Sequence, residues 1–107
     1  MSGFSASGRV ATAHASRYLQ QMAKHFAHKL PVSADAVHAE LTFPKDARGA
    51  EWPADALVVL DASDAALTVT ITASAAGQRD GLKRAIAEHV DRFAFREAPL
   101  AWAWSDL

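Results

Sequence analysis

Residues 56–73 read ALVVLDASDAALTVTITA, and how this stretch divides decides the fold. Its second half alternates strictly, with Leu67, Val69 and Ile71 on one side and Thr68, Thr70 and Thr72 on the other. That period of two predicts a strand with one buried and one solvated face. Its first half, ALVVLDA, is a second strand, and the polar turn around Ser63 and Asp64 joins the two as a hairpin. Because Leu57 to Leu60 are apolar without interruption, either Val58 and Leu60 or Leu57 and Val59 face away from the helices. A dimer contact or a ligand is expected to cover that pair.

On the N-terminal side, VHAELTF (37–43) alternates as well, with Val37, Ala39, Leu41 and Phe43 inward, and so predicts another half-buried strand. Between it and the hairpin, Pro44 to Asp55 carries two prolines and a glycine and reads as a loop, with Trp52 folded back as a lid on the core. Further upstream, Leu19, Met22, Ala23, Phe26 and Leu30 recur at helical spacing. This first helix is expected to begin near Ala13 with Thr12 as its cap and to stop at Pro31. SGRVAT before it predicts a short strand, and residues 1–6 are expected to be flexible.

Downstream of the hairpin, Ser74 is positioned to cap a second helix whose apolar stripe is Leu82, Ala85, Ile86, Val90 and Phe93, with Gly77 and Gly81 weakening its first turns. LAWAW (100–104) then alternates again as a last strand, its tryptophans turned to the core. The expected order is β-α-β-β-β-α-β over one domain, residues 1–107. Such an order makes a two-layer α+β sandwich, a mainly antiparallel sheet with two helices on one face, related to the ferredoxin-like pattern.

Composition narrows the function classes. Half of the residues are apolar and 21% are charged, as in ordinary folded domains. Through Lys45 there are five Lys and Arg against two Asp and Glu, and beyond it six against ten. The early part is thus mildly basic, which favours an anionic ligand but falls far short of what nucleic-acid binding needs. Without cysteine, thiol nucleophiles and Cys-based metal centres are excluded. No apolar run approaches a membrane span, and the chain reads as cytoplasmic. No GxSxG, P-loop, GxGxxG after a strand or HExxH is present, so nothing in the sequence argues for catalysis.

Two groups of residues carry candidate chemistry. On a helical wheel of about 100° per residue, His14, Gln21, His25 and His28 share one stripe with Arg17 beside them, away from the apolar face. The stripe reads as a solvated band open to an anionic ligand, and His25 with His28 as candidate metal ligands of the kind that suit Zn, Ni or Cu. His89, in HVDRFAFRE (89–97), falls instead on the apolar stripe of the second helix. A buried imidazole there needs partners for its ring nitrogens, from Tyr18, a backbone carbonyl or a ligand. Arg92 and Arg96 are neighbours one turn apart and have the fork to grip a carboxylate or phosphate. A further reading makes His89 an acid or base.

The pieces ATAHASRYLQQMAKHFAHKLPV (11–32) and HVDRFAFRE resemble the two signature blocks of a bacterial family, domain of unknown function 2218. The likeness rests on Thr12, Arg17, Tyr18, Leu19, Gln21, His25, His28 and Lys29 in the first block. In the second it rests on His89, Asp91, Arg92, Phe93, Phe95 and Arg96. ARGAEWPAD in the middle matches poorly, so nothing transfers to Trp52. The resemblance implies a non-enzymatic accessory role in iron or siderophore utilisation, with a siderophore-interacting flavoprotein or an anionic ferric chelate as partner. No cofactor is implied. The alternative is a protein-interaction or homodimerisation module with no small ligand.

Overall fold

A computed structural model describes residues 4–107, apart from the side chain of Arg48. The hairpin forms as expected: β4 (Ala56–Ala62) pairs antiparallel with β5 (Ala66–Ala73), Val58 opposite Ile71 and Leu60 opposite Val69. Around it lie β1 (Phe4–Ala11), α1 (Ala15–Ala27), β2 (Val32–Ala34), β3 (His38–Phe43), α2 (Ala76–Phe93) and β6 (Ala103–Asp106). The six strands run in the order β2-β3-β4-β5-β1-β6, every pairing antiparallel. β6-β1-β5-β4 reproduces the ferredoxin-like order, and β3 and β2 extend its hairpin edge.

The sheet has one strand more than the sequence predicts. β2 is three residues long and pairs only with β3, Val32 opposite Leu41. Phe4 to Ala6 also belong to a strand, so the flexible start expected for residues 1–6 does not extend to them; residues 1–3 lie outside the described part. Val37 precedes β3 and is 55% exposed, because the inward alternation begins at Ala39.

The uncertainty about β4 is resolved. Val58 and Leu60 are fully buried with Leu19, Met22, Leu41, Val69, Ile71, Ile86 and Val90, so Leu57 and Val59 are the pair on the outer face. There they stand half-buried among Thr42, Thr70 and Thr72 of neighbouring strands. Each leucine in the core contributes about 1.5–3 kcal/mol of transfer free energy.

Both helices start later than their expected caps. Thr12 does not cap α1: the helix opens after His14, and the Thr12 hydroxyl accepts a hydrogen bond from the His14 amide while donating to Glu97. Likewise Ala75, not Ser74, precedes α2. Gln78 reaches back from the first turn, accepting from the Ser74 amide at 2.7 Å and donating to the Ala54 carbonyl at 3.0 Å, which explains a buried glutamine. Trp102 and Trp104 stack 5.3 Å apart. Asp91 accepts from the Leu100 amide and the Trp102 indole, and Lys83 pairs with Asp106 at 2.9 Å, so β6 is fastened to α2 from both ends.

Candidate functional site

α1 and α2 lie side by side on the sheet in opposite directions, since Tyr18 near the start of α1 meets Glu97 beyond the end of α2 while His25 meets His89. At the second meeting point five rings cluster, Phe93 standing edge-on to His25 at 5.9 Å. The His25 and His89 centroids are 5.0 Å apart, Phe26 lies 5.0 Å from His89, and Phe43 5.3 Å from Phe26. His89 Nδ1 donates to the carbonyl of Ala85, one turn back, at 2.7 Å. A carbonyl accepts only, so the proton of a neutral ring is on Nδ1 and Nε2 keeps its lone pair. The partner of His89 is thus its own backbone and not Tyr18.

His25 sits in an unusual electrostatic position. Its Nε2 is buried and has no hydrogen-bond partner among the described residues; the same holds for Gln21 Oε1, one turn earlier. Burial first, and then Lys29, His89, Arg92 and His28, hold the His25 imidazole below its ordinary range. Lys29 and Arg92 form no ion pair among the described residues, and both act against protonation of His25.

Beside this cluster a cleft of about 490 Å³ opens between the end of α1, the first half of α2 and the loop after β3. Phe26, Phe43, Leu82 and His89 line it together with Gly77, Gly81 and Ala85 of α2, Trp52 and Asp46 of the loop, and Lys29. Trp52 does fold back, but as a wall of this cleft. It packs so closely on α2 that a Cβ on Gly77 would fall 2.9 Å from its ring, whereas one on Gly81 would meet nothing within 4 Å. Two glycines inside a helix cost about 1 kcal/mol each relative to alanine; here Gly77 admits the Trp52 ring and Gly81 leaves space open to the cleft.

The remaining expected site residues disperse. His14 is exposed and stands edge-on to Tyr18 at 6.2 Å, while Arg17 and Gln21 line a shallow groove with Ser16, Gln20 and Lys24. His28 ends α1 and Arg92 lies exposed on α2. The continuous solvated band is therefore interrupted: α2 covers its middle at His25 and leaves its ends free. Among the described residues no group of three or more His, Asp or Glu is placed to hold a metal ion.

A family model for an uncharacterized protein conserved in bacteria (DUF2218) matches residues 7–105. The chain belongs to this family. The solved NMR structure of PA4090 from Pseudomonas aeruginosa is similar to it with a TM-score of 0.75 at 20% identity, over 95% of each chain, and shows the same fold. No curated protein matches the chain.

The two blocks that carry the DUF2218 likeness meet at both ends of the helix pair. One meeting is the His25–His89 contact. The other is a knot in which the Thr12 and Tyr18 hydroxyls both donate to the Glu97 carboxylate, Thr12 at 3.1 Å. Burial pushes the Tyr18 hydroxyl up, with Glu97 adding to the effect, while the Tyr18 hydrogen bond holds Glu97 below the usual carboxylate range. Glu97, Gly77, Gly81 and Asp46 were not legible as site residues.

On the opposite face of the sheet, His38 stands between Asp61 (2.7 Å) and Glu40 (2.9 Å). Hydrogen bonds to these carboxylates, Glu40 first, raise its pKa to about 9 from 6.5. A proton bound more tightly in the folded chain stabilises fully below the unfolded value, and the gain is lost as pH rises through the folded one. The stability advantage of wild type over His38→Gln is therefore expected to be constant near pH 6 and to vanish by about pH 10, read by thermal unfolding. An NMR titration placing His38 near 6.5 would contradict it.

Proposed function

We propose that the chain is a cytoplasmic, non-enzymatic binding module whose ligand seat is the cleft beneath Trp52. The observation that carries this is the cleft itself: a concave, mostly apolar site with few polar groups, as small-molecule sites are built, walled by residues of both family blocks and by the Trp52 loop. An accessory role in iron or siderophore utilisation, beside a siderophore-interacting flavoprotein, is the narrower reading. It draws on the family resemblance and on the Lys29 and Arg92 cations near His25, next to the cleft, where an anionic ferric chelate would be held. His25, His89 and Arg92 are then the ligand-side residues, with His14, Arg17 and Gln21 farther along α1.

Titration with a gallium tris-catecholate chelate, a diamagnetic substitute for the ferric one, tests this by NMR. Shifts are expected at the end of α1 and along α2, with affinity roughly tenfold lower in Lys29→Glu. Shifts confined to other surfaces, or none, would remove the iron assignment; retained binding of a flat aromatic probe would still leave the cleft as the seat. A dimer across the outer sheet face is less favoured, because Leu57 and Val59 are half-buried and offer a small apolar area between threonines.

A further inference from the structure

We propose that the cleft takes an aromatic α-amino acid whose ring carries a hydrogen-bond donor, tryptophan or tyrosine, with the ring against Gly81 and Ala85 beside Trp52. Its carboxylate then meets Lys29 and its ammonium Asp46. This deepens the reading of the cleft as a ligand seat and does not depend on the iron assignment.

Shape supplies the first part. Residues 77, 81 and 85 succeed one another at i, i+4 and i+8, so they share one helix face, and the absence of side chains on the two glycines makes that face flat. Trp52 closes on Gly77, and open space begins at Gly81. The bare helix face at Gly81, beside the Trp52 ring, accepts a planar aromatic ring.

Charge supplies the second part. Lys29 and Asp46 both border the cleft, from α1 and from the loop respectively, and among the described residues neither is paired with the other or with a third group. A carboxylate fits Lys29 and an ammonium fits Asp46. A zwitterion satisfies both. Inside the cleft, Gln78 is already committed to Ala54 and Ser74. His89, whose Nδ1 is occupied by the Ala85 carbonyl, offers Nε2 as an acceptor in its neutral form. It matches an indole N–H or a phenol O–H, which donate.

The test is a set of ¹⁵N NMR titrations of the full chain with L-tryptophan, tryptamine, indole-3-propionate and indole, reading the Gly77, Gly81 and Ala85 amides and the Trp52 indole. L-tryptophan is expected to bind at least about tenfold more tightly than the other three. Asp46→Asn should bring tryptophan close to indole-3-propionate, and Lys29→Gln should bring it close to tryptamine. Equal binding of all four would overturn the zwitterion and keep the cleft as a seat. No shift at these positions with any of the four would overturn both. Gly81→Leu, where the structure has room for a side chain, should abolish binding with the fold intact; undiminished binding in that variant would likewise overturn the site.

Discussion

Leu60→Ala is expected to lower the unfolding free energy by about 2–5 kcal/mol, whereas Val59→Ala, one residue earlier, is expected to cost less than about 1 kcal/mol. The two are adjacent on β4 and similar in chemistry, but they point to opposite faces. Leu60 has no exposed surface and packs in the core shared by Leu19, Leu41, Val69 and Ile86. Its truncation removes buried methyl groups and leaves a cavity that a sheet pinned on both sides cannot close. Val59 is half-buried on the side without helices, opposite Glu40 and Thr70. Urea titrations, with m unchanged so that the midpoint reports stability, decide this. Equal losses at both sites would mean that the outer face is covered.

The second large effect is at Gly8. It pairs with Trp104 across β1 and β6, and an added Cβ would fall 2.5 to 2.8 Å from three atoms of the indole ring. No side chain fits there without moving the ring. Gly8→Ala is therefore expected to cost about 1–3 kcal/mol through overpacking and to disturb the Trp102–Trp104 stack, visible as a change in near-ultraviolet circular dichroism. In a Trp104→Ala background the same substitution should cost little, so the double-mutant cycle should show strong coupling. Additive losses would contradict the contact.

These residues also show which parts of the fold were legible. The hairpin was readable because Leu67, Val69 and Ile71 alternate with threonines, and no helix presents that period. The choice between the two faces of β4 was not, since Leu57 to Leu60 satisfies either, and only the placement of the helices decides. β2 escaped notice because a three-residue strand with one half-buried side chain, Val32, carries no periodicity. For the site, a wheel places Gln21 and His25 on one stripe, but it does not say which neighbouring helix covers part of that stripe. The cleft needed a third element still. Its signal was present as a lone tryptophan in a loop and two glycines four apart in a helix, features that separately read as a lid and as weak helix formers. The knot of Thr12, Tyr18 and Glu97 joins residues more than 75 positions apart, a closeness no local pattern encodes.

The proposed ligand seat is the cleft beneath Trp52. The most direct measurement is a ¹H–¹⁵N map of the full chain with indole as a minimal flat probe. Shifts confined to Gly77, Gly81, Ala85, His89 and the Trp52 side chain are expected, and their loss in Gly81→Leu. Shifts on the outer sheet face around Leu57 and Val59, with the cleft silent, would contradict it.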